Sequence, residues 1–288
     1  MKLVSFTDVD PTPRIGVDTG SELADLTAAG LGNDLVDLIA QWDQTTVEQA
    51  TATAPRLPKS QVRLLAPLRP RKNIFAVGRN YHDHAREFSR SGFDASEKKM
   101  IPEHPVMFTK APTSVIGPED PINLANDPTA STDYEGELGV VIARPCRRVD
   151  PEHVLEYVFG WTIVNDVTAR NLQQQHVQWF IGKSPDTFCP MGPCVVTIDE
   201  LPDIYRSRLR TTVNDELRQD ALISDLIFNV ETLIATLAEV MTLEPGDVIA
   251  TGTPAGVGIG FDPPRYLAPG DVVEVTIDGI GTLRNPVQ

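Results

Sequence analysis

The sequence predicts a β-rich α+β fold in which strands far outnumber helices. Short apolar segments separated by Pro, Gly, Asn and Asp recur along most of the chain, as strands do. Helical periodicity is confined to a few stretches. Strands and helices do not alternate regularly, which disfavours a doubly wound sheet or an eightfold barrel.

The first 68 residues predict a small N-terminal α+β domain. The strand candidates KLVSFT, RIGVDT and LADLT precede two helical stretches, DLVDLIAQWD and TTVEQATAT. Residues 54–73 are rich in proline and basic residues and have little periodicity, so we expect a linker there. The predicted domains are therefore residues 1–68 and 69–288.

The second domain carries most of the predicted strands. They are PVMFTK, LGVVIA, VFGWTIVND, CPMGPCVVT, LRTTVND, DVIATGT and DVVEVTIDGIGTL. Helices are predicted at DHAREF, TARNLQQQHVQ and NVETLIATLAEVMTL, and the last has an apolar stripe and a stop signal at EPGD. Residues 85–105 are polar and interrupted by Gly and Pro, which is typical of a mobile loop or lid.

The net charge argues for a small molecule as partner. The 288 residues include 40 Asp and Glu against 25 Lys and Arg, a formal charge of −15, which repels nucleic acid and anionic membrane surfaces. The chain has no apolar run long enough to span a membrane and no signal-peptide pattern, and its three cysteines do not suggest a disulfide framework. We therefore expect a cytoplasmic protein.

Three carboxylates stand at alternate positions in STDYEGELGVV: Asp133, Glu135 and Glu137. On a strand, such side chains share one face, where they repel unless a cation or a shared proton neutralises them. A solvated face of an edge strand is the alternative. The apolar residues that follow favour a strand that enters the core directly after the acids.

A further carboxylate, Asp166, follows the apolar run VFGWTIV. Together with Glu135 and Glu137 it would offer oxygen ligands suited to Mg²⁺ or Mn²⁺, with Ca²⁺ also possible and Zn²⁺ less suitable. Alternatively, Asp166 caps the N-terminus of the helix that begins at VTARNLQQQ.

The stretch GRNYHDHARE contains Arg79, Tyr81, His84 and Glu87. His84 and Glu87 are three residues apart, so on a helix the carboxylate can orient the imidazole as a general base. A packed or surface histidine is the alternative. His82 and His84 also match the first zinc ligands of an amidohydrolase barrel, which would need further histidine ligands on later strands.

Lys183, in WFIGKSPDTF, follows an apolar run. A phosphate-binding loop is excluded because Val177 stands where that motif requires glycine and Pro185 prevents a helix start. The lysine is either a buried positive charge for an enolate or carboxylate, or a surface residue.

The glycine-rich segment DVIATGTPAGVGIG does not have the spacing of a dinucleotide-binding turn. Its backbone N–H groups and the hydroxyls of Thr251 and Thr253 would suit an anionic group such as a carboxylate.

In this order, the motifs resemble the fumarylacetoacetate hydrolase family. The similarity runs from residue 73 to residue 260 through NIFAVGRNYHDHARE, PVMFTKAPTSVIGPEDPI, DYEGELGVVI, GWTIVNDVTARNLQ, GKSPDTFCPMGP, VNDELRQD and LEPGDVIATGTPAGVG. The resemblance implies a catalytic domain built as a roll or barrel of mixed β-sheet, a small N-terminal domain and a homodimer.

The resemblance also implies roles for single residues. The metal ligands would be Glu135, Glu137 and Asp166, and the catalytic residues His84, Glu87 and Lys183. The substrate-binding residues would be Arg79, Tyr81, Arg170, Gln173 and Thr253, of which Arg170 and Gln173 rest on the resemblance alone. Asp133 has no matching ligand role, and would support the ligands or be solvated.

The implied reaction is metal-dependent hydrolysis of a C–C bond in a 2,4-dioxo acid of the acylpyruvate or fumarylpyruvate type, as in aromatic catabolism. The products would be pyruvate and a carboxylic acid. The alternatives on the same scaffold are oxaloacetate decarboxylase, 2-hydroxy-dienoate isomerase or hydratase, and ureidoglycolate lyase. A non-catalytic Ca²⁺-binding module also stays open.

Overall fold

The structure of the protein, a computed structural model, describes residues 1–90 and 101–288. The strands of the N-terminal third are β1 (Lys2–Thr7), β2 (Arg14–Asp18), β3 (Glu22–Asp25), β4 (Arg56–Pro58), β5 (Arg63–Leu65) and β6 (Ile74–Gly78). Those of the middle are β7 (Val106–Lys110), β8 (Val115–Ile116), β9 (Thr132–Asp133), β10 (Gly136–Ile142), β11 (Val158–Asn165), β12 (Thr168–Ala169) and β13 (Cys189–Thr197). The last are β14 (Arg208–Val213), β15 (Glu216–Leu222), β16 (Val248–Ala250), β17 (Val272–Ile277) and β18 (Gly281–Pro286).

The α-helices of the described residues are short. They are α1 (Leu35–Ala40), α2 (Gln44–Thr53), α3 (His82–Arg90), α4 (Arg170–Gln175), α5 (Phe180–Lys183) and α6 (Val230–Val240). The side chain of Asn229 caps α6 by accepting a hydrogen bond from the backbone N–H of Thr232. None of the helices in the part of the chain that the structure describes is long and apolar enough to cross a membrane.

Most strands join one large mixed sheet. Its order is β4-β3-β2-β1-β13-β11-β10-β16-β6-β7, with β5 beside β1 and β8 beside β13. A separate four-stranded sheet has the order β15-β14-β17-β18, and β9 and β12 form a small pair. The predicted β-rich α+β class is confirmed.

The N-terminal strands belong to the large sheet. Strand β1 pairs antiparallel with β13, so that Leu3 lies opposite Val195, and both side chains are buried in one apolar cluster. Residues 54–73, predicted to be a linker, instead contain β4 and β5, which pair with β3 and β1. The absence of periodicity there reflects strands of three residues, too short to show alternation.

The predicted elements of the second region correspond closely to the observed ones. The last predicted segment is the hairpin β17–β18, and the predicted stop after α6 is found. Several elements were missed, among them β15, α5 and the two-residue strands β8 and β12, and α4 is shorter than its pattern suggests. Of the predicted loop 85–105, residues 85–90 belong to α3, and residues 91–100 lie outside the described residues.

Candidate metal centre and active site

Pairing between β10 and β11 brings the three predicted metal ligands together. Gly136 lies opposite Asn165, and the backbone N–H of Asp166 donates to the carbonyl of Glu135 at 2.8 Å. Glu135, Glu137 and Asp166 each present a carboxylate oxygen within 4.8 Å of the others. All three side chains are buried, so the alternative of a solvated strand face is wrong.

This cluster fits a divalent cation. Buried like charges repel one another, and three carboxylates form the hard oxygen donor set that Mg²⁺ and Mn²⁺ prefer. Burial, together with the neighbouring charges of Asp166 and Glu135, raises the pKa of Glu137 well above its ordinary value. A cation at these oxygens would remove the repulsion that this shift reports.

Lys183 lies inside the cluster. Its Nζ donates to Glu135 Oε2 at 2.8 Å and to Asp166 Oδ2 at 2.6 Å, and the side chain is buried. Burial alone would lower the pKa of Lys183, but the carboxylates of Asp166 and Glu135 outweigh it and raise that pKa. The lysine is therefore a fixed positive charge, and the surface-loop alternative is wrong.

A second buried lysine, Lys110, escaped the sequence analysis. It ends β7, and its Nζ lies 2.6 Å from Asp166 Oδ1 and 3.1 Å from the carbonyl oxygen of Val167, to which it donates; it also donates to the carbonyl of Lys183. Asp166 thus has one lysine on each oxygen and does not cap α4, whose N-cap is Ala169. A charged residue at the end of an apolar strand is the same signal that singled out Asp166.

Arg170 connects the carboxylate cluster of Glu135, Glu137 and Asp166 to Asp133. Its Nη2 lies 2.7 Å from Glu135 Oε1, and its Nε donates to Asp133 Oδ2 at 2.9 Å. Burial would raise the pKa of Glu135, but the positive charges of Lys183 and Arg170 lower it to about 2. Asp133 is fully buried, so the expectation that it might be solvated is wrong; it anchors Arg170. Gln173 accepts from Arg170 Nη1 at 3.3 Å.

The predicted histidine–carboxylate pair lies on α3. His84 Nδ1 is 3.2 Å from Glu87 Oε2, and His84 is buried. Glu87 is itself held by the backbone N–H of Gly256, at 3.0 and 3.2 Å from its two oxygens. His82, the other half of the proposed zinc pair, is exposed on the same helix.

The glycine-rich segment serves the protein's own carboxylates. The N–H of Gly252 donates to Glu137 at 2.8 Å, and those of Gly258 and Ile259 donate to Asp133 at 2.6 and 3.0 Å. The backbone N–H groups of this segment thus bind carboxylates, as predicted, and these carboxylates belong to the protein itself. The hydroxyl of Thr253 donates to the carbonyl of Gly136 at 3.0 Å and accepts from Gln219, a residue that sequence reasoning missed.

A small pocket opens beside the carboxylate cluster of Glu135, Glu137 and Asp166. It is lined by Val77, Gly78, Arg79, His84, Phe108, Glu135, Arg170, Gln173, Trp179, Lys183 and Thr253. Most predicted substrate-binding residues are thus on its wall. Tyr81 is different: it is buried in the hydrophobic core, where burial and the charge of Glu137 raise the pKa of its hydroxyl.

The wall of the pocket has a charged and an apolar side. Arg79, Arg170 and Lys183 supply positive charge, while Phe108 and Trp179 pack edge to face with ring centroids 5.3 Å apart. Fold and site together give a pocket with positively charged side chains beside a buried cluster of acids able to hold a divalent cation.

Comparison with known proteins places the chain within a family. The family model described as "Fumarylacetoacetate (FAA) hydrolase C-terminal" matches residues 73–288. The chain therefore belongs to the fumarylacetoacetate hydrolase family, whose members include hydrolases and isomerases. It is 51% identical to oxaloacetate tautomerase YisK of Bacillus subtilis (strain 168) over 229 residues, which are 79% of this chain and 74% of that protein.

Solved structures give the same result. Fumarylacetoacetate hydrolase (EaFAH) from psychrophilic Exiguobacterium antarcticum is 45% identical with a TM-score of 0.88, covering 100% of this chain and 99% of that one. Maleylpyruvate hydrolase from Sphingobium sp. SYK-6, solved with manganese (II) ion and pyruvate, is 31% identical with a TM-score of 0.81, covering 100% and 98%. The family membership excludes the zinc amidohydrolase barrel.

The raised pKa of Glu137 predicts that the stability gained from bound metal grows as pH rises above the ordinary pKa of a glutamate. The metal-free folded state holds a proton that the unfolded chain has released, so its stability falls as pH rises from the ordinary value toward the folded-state pKa. Because a bound cation replaces that proton, its benefit grows over the same range. Thermal unfolding with excess Mg²⁺ or with EDTA measures the difference, and a gain that shrinks with rising pH would contradict the assignment.

Proposed function

We propose that this protein is a Mg²⁺- or Mn²⁺-dependent enzyme that cleaves a C–C bond of a 2,4-dioxo acid by hydrolysis. One observation carries the proposal: a buried histidine, held by a carboxylate at 3.2 Å, lies on the same pocket wall as Lys183, Arg170 and a metal ligand. Hydrolysis needs an activated water, and a histidine oriented in this way is suited to activate it.

The cation would be held by Glu135, Glu137 and Asp166. When bound, it supplies a Lewis acid for the oxygens of a 2-oxo acid and offsets the protein's overall negative charge. Arg170 and Lys183 add buried positive charge next to that position, which favours a substrate carboxylate and the negative charge that develops on cleavage.

His84 and Glu87 handle the proton. With Nδ1 bonded to Glu87, the imidazole keeps Nε2 as its acceptor for a proton from water. The hydroxide equivalent attacks the distal carbonyl of the dioxo acid, the C–C bond breaks, and the pyruvate enolate takes up a proton to give pyruvate. Burial of the histidine keeps bulk water from competing for its proton.

A second candidate is the keto–enol tautomerisation of oxaloacetate, which the 51% identity to an oxaloacetate tautomerase favours. This reaction moves a proton between carbon and oxygen and needs no attacking water. Arg79 on the pocket wall suits either a distal carboxylate of oxaloacetate or that of fumarylpyruvate.

The test is an assay of the purified protein with Mg²⁺ or Mn²⁺ against acetylpyruvate, fumarylpyruvate and oxaloacetate. We expect pyruvate release from an acylpyruvate, lost with EDTA and restored by either metal. The variant His84→Ala should lower hydrolysis by about 100-fold or more, as expected for loss of a general base, and should leave metal affinity within about twofold, since His84 is not among the metal ligands.

His82→Ala is the matched control because His82 lies on the same helix but is exposed. It should keep wild-type rates. Keto–enol interconversion of oxaloacetate without pyruvate release from any of the three acids would reject the hydrolase in favour of the tautomerase, and pyruvate release from oxaloacetate alone would reject it in favour of a decarboxylase. Metal-dependent stability with no turnover of any of the three acids would reject all of these enzymes and favour the binding module.

A further inference from the structure

The loop from Gly256 to Gly260, called the glycine loop below, contacts two carboxylates, those of Glu87 and Asp133. At its start, the backbone N–H of Gly256 donates to both oxygens of Glu87, at 3.0 and 3.2 Å. Further along, the N–H groups of Gly258 and Ile259 donate to Asp133, at 2.6 and 3.0 Å. Backbone N–H donors are fixed in position, and the hydrogen bonds that they donate are stronger when the acceptor is charged.

The seat of Glu87 has no room for any side chain at position 260. A Cβ on Gly260 would lie 2.0 Å from Oε1, 2.2 Å from Cδ and 2.5 Å from Cγ of Glu87. All three nearest atoms belong to this one flexible side chain. An alanine could therefore be accommodated by expelling the Glu87 carboxylate.

Asp133, which accepts from Gly258 and Ile259, connects the glycine loop to the carboxylate cluster of Glu135, Glu137 and Asp166. Asp133 Oδ2 is 2.9 Å from Arg170 Nε, and Arg170 Nη2 is 2.7 Å from Glu135. Glu87 connects the glycine loop to the proposed base, because Glu87 Oε2 is 3.2 Å from His84 Nδ1. One short piece of backbone thus connects to both sides of the pocket.

We propose that the glycine loop is a positioning element that sets the His84–Glu87 pair against the Arg170–Glu135 side of the site, and that Gly260 is a positioning residue for His84. Gly260 touches neither metal nor substrate in this scheme. It acts through Glu87, by leaving the space that the carboxylate occupies. The kinetic consequences rest on the proposed function, but the placement of Glu87 does not.

The variant Gly260→Ala tests the contact of the glycine loop with Glu87. We expect kcat for the acylpyruvate to fall by about 100-fold, the cost of displacing a catalytic group by about 1 Å. Mn²⁺ affinity, measured by calorimetry, should stay within about twofold because the clash does not involve the metal ligands. In a Glu87→Ala background, the same substitution should have no further effect on kcat.

Asp133→Asn is the matched variant for the contact of the glycine loop with Asp133. It weakens the anchor of Arg170, so we expect a higher KM for the 2-oxo acid with a smaller change in kcat. A change mainly in kcat for Gly260→Ala and mainly in KM for Asp133→Asn would support the proposal. An equal loss of kcat from Gly260→Ala with and without Glu87 would overturn it, because the effect would then not run through Glu87.

A crystal structure of Gly260→Ala separates this proposal from the proposed function. A Glu87 carboxylate displaced from the Gly256 N–H supports the positioning role, even if the wild type turns over no 2-oxo acid. A carboxylate still bound to Gly256 overturns the role, even if the hydrolase activity is found.

Discussion

Replacing Glu137 with glutamine should give a protein that folds at least as well as the wild type without metal, yet binds Mg²⁺ or Mn²⁺ at least about 100-fold more weakly. Even residues that only support metal ligands cost 10–100-fold in affinity when mutated, so loss of a ligand charge should cost at least the upper end of that range. Activity that depends on the metal should fall in parallel.

The metal-free stability follows from what Glu137 touches. Its carboxylate accepts a hydrogen bond from the N–H of Gly252 at 2.8 Å, which a glutamine oxygen can also accept. Burial and the charges of Asp166 and Glu135 raise the pKa of Glu137, which shows that its charge is unfavourable in the metal-free state. Glutamine removes that charge while keeping the shape.

Calorimetric titration with Mn²⁺ and thermal unfolding in EDTA measure the two effects. Glu135→Gln is the informative comparison, because it removes the same charge but takes it from Lys183 and Arg170, which lie 2.8 and 2.7 Å away. That variant should lose metal affinity and also stability. Glu244→Gln, at an exposed position, should change neither. Wild-type metal affinity in Glu137→Gln would contradict the ligand assignment.

The parts of the site that sequence predicts are those that depend on local spacing. The i, i+2 period of a strand places Glu135 and Glu137 on one face, and the i, i+3 period of a helix places His84 by Glu87. Asp166 was found because it follows an apolar strand directly. In each case the chemistry needs only residues that are close in sequence, together with one strand pairing.

The parts that were missed depend on contacts between distant segments. Lys110 meets Asp166 although three strands separate β7 from β11 in the sheet order, a contact that no local pattern encodes. The same is true of β1, which pairs with β13 almost two hundred residues later. Strand β15 was missed because it lies at a sheet edge and is half exposed, so its alternation is weak.

The glycine-rich segment shows a different limit. Its sequence correctly indicated backbone N–H groups that bind carboxylates, but it gave no sign of whose carboxylates they are. In the structure the acceptors are Glu87, Asp133 and Glu137, which all come from distant parts of the chain. The chemistry of a loop can therefore be predicted from composition, whereas its partner follows only from topology.

Replacing Lys110 with methionine should destabilise the protein by about 3–5 kcal/mol, the usual cost of removing one partner of a buried ion pair. Lys110 and Asp166 are both fully buried and their charged atoms are 2.6 Å apart. Methionine keeps the length of the side chain but removes the positive charge beside Asp166 Oδ1 and the donor to the carbonyl of Val167. The resulting loss is one of charge pairing and hydrogen bonds, with little change in packing volume.

Lys59→Met is a matched control, because Lys59 makes an ion pair with Asp18 at the same distance of 2.6 Å but is 37% exposed. Exposed pairs contribute about 0–1 kcal/mol, so this variant should be nearly neutral. Denaturant unfolding in EDTA measures both variants, and equal losses would show that burial of the Lys110 pair is not what matters.

The double variant Lys110→Met, Asp166→Asn isolates the unpaired charge. Neutralising Asp166 removes the buried anion that Lys110→Met leaves undercompensated, so the double variant should recover part of the stability that the single variant loses. It should not recover metal binding, because Asp166 is one of the three clustered carboxylates. A double variant whose loss of stability equals the sum of the two single losses would show that Lys110 acts through its backbone contacts instead of its charge. The recovery of stability without recovery of metal affinity is what identifies Lys110 as the counter-charge that allows a buried metal ligand to exist in this fold.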